Sequence, residues 1–193
     1  MIAAGVMAAL VFGPMLAETA IASRHDRALR ALGAIEPPGD VYRLMALAYP
    51  GAFLAMLAEG VVRGAGAGAG AGASAVAAAR AVAGAGAGAS AGADAWFAAG
   101  LVVFAAAKAL KYWAIASLGP RWTFRVLVPP GSARTVSGPY RWLAHPNYVA
   151  VTGELAGVAV AMHALVSGPL AVAGFGWLML RRISIEEKAL ARG

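Results

Sequence analysis

Five apolar runs alternate with short polar segments along this chain of 193 residues. A helix that crosses a bilayer needs about 20 mostly apolar residues. The runs that approach this length are Ile2–Ile21, Val41–Val62, Ala95–Leu118, Tyr148–Val166 and Pro169–Leu180. The last run is short, and the Ser-Gly-Pro sequence at its start predicts a tight turn from the run before it. The pattern predicts an all-α, multi-pass membrane helical bundle of about five transmembrane helices, with a C-terminal helical hairpin and a cytoplasmic tail helix.

Composition supports a membrane protein. The chain is 61% hydrophobic and only 13% charged, whereas about a quarter of the residues in a soluble domain are charged. A net charge of +7 would suit a nucleic-acid-binding protein, but the basic residues flank apolar runs, so no nucleic acid partner is expected. The chain has no cysteine, which excludes disulfides, a thiolate nucleophile and zinc–thiolate sites, and no metal site is predicted.

The distribution of Lys and Arg predicts the orientation. Basic residues concentrate in the first loop, the third loop and the tail, whereas the second loop has only Arg63 and Arg80. The positive-inside rule then puts the N-terminus outside and the C-terminus in the cytoplasm of a cell-membrane protein. Lys108 and Lys111 fall in the third run, where their long side chains are expected to snorkel toward water. Met1–Ser23 lacks a charged start and is expected to be a retained span.

A low-complexity segment divides the chain without dividing the predicted membrane domain, which spans 1–193. Gly64–Gly92 alternates Gly and Ala and has little side chain to bury. We expect a flexible external linker within 63–94, with a helical turn or two near Ala75–Val82. The chemistry is expected in 119–193, where polar residues accumulate.

Several polar residues interrupt the apolar runs. Glu18 and Glu59 are expected near span ends, where they reach water or a basic partner. Glu154 has two interpretations: a role in or behind a site, or a structural hydrogen bond to a neighbouring helix. His163 is expected at the outer interface rather than in a site.

The segment Gly138–Glu154, GPYRWLAHPNYVAVTGE, runs from polar and proline-broken sequence straight into an apolar helix. Because Pro146 follows it, His145 is expected at the helix entrance, facing a cavity or merely capping the helix. In the tail, Arg182 and Glu186 share one helix face, while Glu187 is turned about 100° away. The alternative for this tail is a solvated helix with one weak ion pair.

Taken together, GPYRWLAHPNY, the apolar hairpin and RISIEEKAL resemble the isoprenylcysteine carboxyl methyltransferase family of membrane enzymes, short bacterial type, over about Leu118–Leu190. The resemblance implies an S-adenosylmethionine-dependent O-methyltransferase, with a lipophilic small-molecule acceptor and membrane lipids around it. The acceptor is an isoprenylcysteine-like carboxylate, or an alkylpyrone or alkylresorcinol hydroxyl. The segment RHDRALRALGAIEP, with the Tyr-Pro of the second run, is similar to bacterial relatives associated with polyketide synthases.

The family pattern also implies roles for individual residues. Those implied to bind S-adenosyl-L-methionine are Tyr140, His145, Pro146, Asn147, Tyr148 and Glu186. Arg182 would face the acceptor, and His145 or Glu154 would serve as base for a hydroxyl acceptor. The match is weaker at Arg125 and Ser132–Thr135. Ala144 replaces an Arg of the family pattern, which weakens the expectation of a carboxylate acceptor, and Ala150 replaces a frequent Gly.

Two other functions remain open from the sequence. The HPNY string also occurs in membrane sterol reductases, which use NADPH, although those follow the tyrosine with Phe-Gly-Glu and this chain does not. A non-catalytic small membrane protein is the other alternative. It would bind neither cofactor.

Overall fold

A computed structural model describes residues 2–66, 91–127, 129 and 135–190. Five α-helices follow one another: α1 Ile2–Ala31, α2 Tyr42–Gly66, α3 Ala91–Leu118, α4 Pro146–Ala161 and α5 Ser167–Leu190. Two 3₁₀ turns, Gly119–Arg121 and Gly138–Arg141, lie between α3 and α4. None of the described residues forms a β-strand. The all-α membrane bundle is confirmed.

Three helices are long and apolar enough to cross a membrane, over Ile2–Ala31, Tyr42–Gly64 and Ala95–Arg121. The other two predicted spans fall in α4 and α5. Helix α4 has only 16 residues, fewer than the roughly 20 that a span needs, and the apolar part of α5 is followed by charged residues. Among the described residues, the five helices correspond to the five predicted runs, while length and composition support three of them as spans.

Helices α1, α2 and α3 extend beyond the apolar runs that predicted them. Helix α1 continues ten residues past Ile21 and ends where Gly33, with φ of 82°, takes a left-handed conformation. The Ala34 N–H then bonds the Leu29 carbonyl at 3.0 Å, a Schellman closure that glycine favours. At the other boundary, α2 extends to Gly66 and α3 begins at Ala91, so both ends of the expected linker are helical. The turn expected near Ala75–Val82 lies outside the described residues.

Glycines allow α3 and α4 to pack closely. A Cβ on Gly157 would lie 2.6 Å from the Phe104 nitrogen and 2.8 Å from the Gly100 oxygen. A Cβ on Gly153 would lie 2.9 Å from the Ala107 Cβ. Small residues spaced four apart let two membrane helices approach backbone to backbone. This contact fixes the helix that carries Tyr148 against the one that carries Lys111.

A network of four charges is buried between α1, α3 and α4. Lys108 and Lys111 are 8% and 2% exposed, so the expectation that they snorkel to water is wrong. Their ammonium groups instead meet two carboxylates, Glu18 at 2.9 and 2.6 Å and Glu154 at 3.2 and 3.5 Å. Glu18 therefore has the basic partner that was expected, but deep in the bundle. A buried charge is tolerated when an opposite charge compensates it.

The α4–α5 hairpin turns at residues 162–166, and α2 holds it. The Glu59 carboxylate accepts hydrogen bonds from the Ser167 N–H at 2.7 Å and hydroxyl at 2.6 Å. It also pairs with Arg63 at 2.8 Å, as expected of a carboxylate near a helix end. His163, with φ of 50°, is exposed beside the Trp96 ring. The predicted hairpin and the exposed placement of His163 both appear in the structure.

Candidate active site

A cavity of about 410 Å³ is bounded by residues from all five helices and from the α3–α4 connection. Six of the eight predicted site residues line it: Tyr140, His145, Asn147, Tyr148, Arg182 and Glu186. The other two, Pro146 and Glu154, are buried nearby but do not line it. Small-molecule sites usually occupy about 300–1,000 Å³, so this cavity has the size of one.

His145 stands at the entrance of α4, as its position before Pro146 predicted. It is the N-cap residue, with Pro146 at the first helical position, yet its side chain makes no capping hydrogen bond. Its Nε2 is buried without a hydrogen-bond partner and lies 3.7 Å from Glu187 Oε1. The ring stacks on Tyr148, with centroids 5.4 Å apart. The interpretation of His145 as only a cap is therefore wrong.

Helix α5 brings its charged residues to the same wall. The Tyr148 hydroxyl donates to Glu186 Oε2 at 3.2 Å. Arg182 is only 6% exposed, so the alternative of a fully solvated tail helix is wrong. Glu187, which was expected to point away from the site, also lines the cavity. Its position on the helix did not predict this, because that position does not show how closely the loop before α4 approaches Glu187.

Tyr140 enters the cavity from the turn Gly138–Arg141. Gly138 has φ of 58°, and a Cβ there would collide with Ser117 of α3, so glycine lets the turn lie against that helix. Burial, reinforced by the negative charge of Glu186, raises the pKa of Tyr140 to about 12. Tyr140 therefore keeps its proton near neutral pH and can donate a hydrogen bond, but it is not a base.

Unpaired polar atoms concentrate on this wall. His145 Nε2, Asn147 Oδ1 and Arg182 Nε are all buried without a hydrogen-bond partner, and all three residues line the cavity. Buried polar groups nearly always have a partner, and an exception calls for an explanation such as a ligand or water. Their common location favours a polar ligand in the cavity.

Glu154 lies behind the site rather than in it. Its carboxylate accepts a hydrogen bond from the Tyr49 hydroxyl of α2 and pairs with Lys108 and Lys111 of α3. The structure therefore gives Glu154 the structural bond to neighbouring helices that the sequence left as its alternative. Because Glu154 does not line the cavity, its carboxylate is out of reach of a proton on a bound acceptor.

Much of the remaining lining is apolar and aromatic. This part of the lining, the apolar wall, comprises Met15, Tyr42, Met45, Tyr49, Trp122, Phe124, Val126, Leu127 and Phe175. Arg125, a weaker expectation from the sequence, lines the cavity and pairs with Glu36 at 2.8 Å. Burial raises the pKa of Glu36, but hydrogen bonds from Arg30 and Arg125 outweigh it and hold that pKa below its usual value. Thr135 also lines the cavity, while residues 132–134 lie outside the described residues.

A second, apolar groove runs along the outside of α2 and α5. Its lining is entirely apolar: Leu44, Ala48, Ala52, Leu170, Ala171, Gly174, Phe175, Trp177 and Leu178. Phe175 lines both this groove and the cavity. The Phe175 side chain thus separates the bundle's outer surface from the candidate site.

Comparison with known proteins identifies the part of the chain that carries the polar wall. Residues 98–192 match the family model of the isoprenylcysteine carboxyl methyltransferase (ICMT) family. Residues 98–192 belong to this family. The family match and the three apolar helices indicate a membrane-associated methyltransferase. The matched residues include every predicted site residue from Tyr140 to Glu186, but neither α1 nor α2.

A relative matches over nearly the full length. The Bacillus subtilis (strain 168) protein named "Uncharacterized protein YpbQ" is 25% identical over 185 residues, covering 96% of this chain and 95% of its own. The similarity therefore extends through the two N-terminal helices. No solved structure matches the chain.

Proposed function

We propose that this protein transfers the methyl group of S-adenosylmethionine to an oxygen of a lipophilic small molecule taken from the membrane. The observation that carries the proposal is one cavity that combines a polar wall, bearing three unpaired buried polar atoms, with an apolar aromatic wall. A water-soluble donor suits the first wall and a lipid-like acceptor the second. The site then lies at the cytoplasmic side, with the N-terminus outside, in keeping with the distribution of Lys and Arg.

The residues present fit the cofactor. Its ammonium and ribose hydroxyls need acceptors, which Glu186 and the unpaired Asn147 Oδ1 can supply. Tyr140 offers a hydroxyl donor, and Tyr140 and Tyr148 offer ring faces beside them. When bound, S-adenosylmethionine supplies an electrophilic methyl group on a positively charged sulfur. The protein's part is to align donor and acceptor and to exclude water, which can supply about 7–11 kcal/mol.

On the acceptor side, Arg182 orients the reacting oxygen through its unpaired Nε–H. A carboxylate acceptor is already ionised and needs no base. A hydroxyl acceptor must lose a proton, and His145 is the better candidate because its Nε2 is unpaired and its ring lines the cavity. Glu154 does not line the cavity and is engaged with two lysines. Arg182 and His145 are therefore the proposed catalytic residues.

The lipid-like part of the acceptor enters through the outer groove between α2 and α5. This groove is apolar, faces outward between two helices, and is separated from the cavity by the Phe175 ring. An acyl or prenyl chain that lies in the groove reaches the cavity if that ring rotates. An apolar substrate that enters from the bilayer does not have to pass through water, which would be unfavourable.

Cofactor binding tests the first half of the proposal. Purified protein is titrated calorimetrically with S-adenosylhomocysteine and, separately, with NADPH. We expect binding of S-adenosylhomocysteine that weakens about tenfold or more in Glu186→Gln, because a charge-assisted contact is lost. Arg181→Gln is the matched control, since Arg181 is an exposed residue of the same helix. Binding of NADPH alone would indicate a reductase, and binding of neither would indicate a non-catalytic protein.

Methyl transfer tests the second half. Membranes that contain the protein are incubated with S-adenosylmethionine labelled in the methyl group, and the lipids are extracted. Added acceptors, a prenylated cysteine in one reaction and an alkylresorcinol in another, separate the two oxygen classes. A base-labile product is an ester of a carboxylate, and a base-stable product is an ether. Labelled lipid that does not depend on the protein, or on Arg182, would refute the proposal. An ether product that does not depend on His145 would refute the role of His145 as the base.

A further inference from the structure

One carboxylate, that of Asp40, connects three parts of the molecule around the cavity. The Asp40 side chain is only 3% exposed. Its Oδ1 accepts the Tyr42 N–H at the start of α2, and its Oδ2 accepts the Val126 N–H, each at 3.2 Å. Oδ1 also lies 3.9 Å from Arg182 Nη1. A buried carboxylate requires such donors and a positive charge to offset its lost hydration.

Protein groups hold the Arg182 guanidinium, among them the Asp40 carboxylate and the Tyr148 hydroxyl. Arg182 Nη1 faces Asp40 and the Met45 sulfur, each at 3.9 Å, whereas its Nε has no hydrogen-bond partner. The guanidinium is planar and rigid. Fixing the Nη1 edge therefore also fixes the direction in which the Nε–H points. Because Arg182 lines the cavity, that direction matters to anything bound there.

The chain that contains Val126 forms part of the cavity wall. All residues of Trp122–Leu127, which we call the covering segment, line the cavity. Other contacts also attach this segment to the N-terminal part of the chain. His25 Nδ1 lies 2.8 Å from the Trp122 carbonyl oxygen, and Arg125 pairs with Glu36 and Asp26. Among these partners of the segment, Asp40 is the one that also faces Arg182.

We infer that Asp40 is a positioning residue for the reaction, one that sets the orientation of Arg182 while its second oxygen ties the covering segment to the start of α2. This inference rests on the proposed function. Asp40 lies outside residues 98–192, the part that matches the family model. The N-terminal part of the chain therefore supplies an interaction on which the acceptor-facing arginine depends.

The test compares Asp40→Asn with wild-type protein in two measurements. The first is the rate of methyl transfer from labelled S-adenosylmethionine, at saturating concentration, into lipids of the host membrane. The second is calorimetric affinity for S-adenosylhomocysteine. We expect transfer to fall about tenfold, the scale of one lost charge-assisted contact, while the affinity changes less than about twofold because Asp40 does not line the cavity. Asp40→Glu keeps the charge and is expected to recover part of the rate.

Glu59→Gln is the matched control. Glu59 also bonds two backbone N–H groups, those of Val166 and Ser167, but it lies at the other end of α2 and does not line the cavity. An equal fall in rate with Glu59→Gln would mean general destabilisation and would overturn the inference. So would a loss of S-adenosylhomocysteine binding in Asp40→Asn, or no change in its rate.

A double-variant cycle separates orientation from mere stability. If Asp40 acts through Arg182, adding Asp40→Asn to Arg182→Gln should change the rate less than about twofold, since the coupled partner is already absent. Additive losses would contradict the inference. Wild-type protein that neither binds S-adenosylhomocysteine nor transfers methyl would refute the proposed function itself. An active wild type with a fully active Asp40→Asn would refute only the role of Asp40.

Discussion

The buried charge network offers the sharpest test of how the two halves of the chain are joined. Glu18 is the only member of the network on α1, and it makes the two shortest ion pairs, at 2.9 and 2.6 Å. Two lysines and two glutamates balance to zero charge. Glu18→Gln keeps the shape of the side chain but leaves both ammonium groups to share Glu154, at 3.2 and 3.5 Å.

The size of the destabilisation expected from Glu18→Gln follows from the burial of the four charged groups. The side chains of Glu18, Glu154 and Lys111 are at most 2% exposed and that of Lys108 is 10% exposed, so water screens the imbalance poorly. Removing one partner of a buried ion pair typically costs about 3–5 kcal/mol. The free energy of unfolding of a typical protein is only about 5–15 kcal/mol. Glu18→Gln is therefore expected to remove a large share of the stability of the bundle.

Unfolding by titration with sodium dodecyl sulfate in mixed micelles measures this loss. Asp26→Asn is the control, because the exposed Asp26–Arg30 pair at 3.1 Å should contribute at most about 1 kcal/mol. The double variant Glu18→Gln/Lys108→Met restores charge balance and should recover part of the loss. If Glu18→Gln were no more destabilising than Asp26→Asn, the four groups would not act as a charged network.

Two further predictions concern glycines. Gly157→Ala should destabilise the bundle by about 1–3 kcal/mol, the usual cost of overpacking, since the new Cβ would lie 2.6 Å from the Phe104 nitrogen. Gly51→Ala is the control and should not destabilise the bundle, because a Cβ at Gly51 has no atom within 4 Å. Equal unfolding midpoints for the two variants would refute the close α3–α4 contact. Gly174→Leu should slow methyl transfer to long-chain acceptors, because the new side chain would fill the outer groove. Gly176→Leu is the control and should not slow transfer, since Gly176 also faces open space but lies outside the groove. Equal rates for the two variants would refute entry through this groove.

Local sequence patterns predicted what depends on neighbouring residues. The His-Pro step placed His145 at a helix entrance, because proline is accepted at the first helical position and restricts the residue before it. The four-residue spacing of Arg182 and Glu186 placed both on one face, and both line the cavity. These features follow from backbone geometry within a few residues.

Features that depend on which helix faces meet could not be predicted in the same way. Lys108 and Lys111 looked like snorkelling residues because their partners, Glu18 and Glu154, lie on other helices far away in sequence. The contact between Asp40 and Arg182 could not be predicted from the sequence for a related reason. Asp40 follows a Pro-Pro-Gly turn and reads as an ordinary loop residue, until the packing of α5 brings Arg182 to it.

The division of the cavity walls has a consequence for how such an enzyme would change its acceptor. The polar wall comes from α4 and α5, inside the family match, whereas Tyr42, Met45 and Tyr49 of α2 contribute to the apolar wall outside it. Substitutions on α2 can reshape the apolar wall without removing the side chains proposed to hold the cofactor. They are not independent of the polar wall, however, because Met45 of α2 contacts Arg182, and Asp40, just before α2, faces the same guanidinium. We therefore expect substitutions on α2 to change acceptor preference, within the limit that these two contacts are kept.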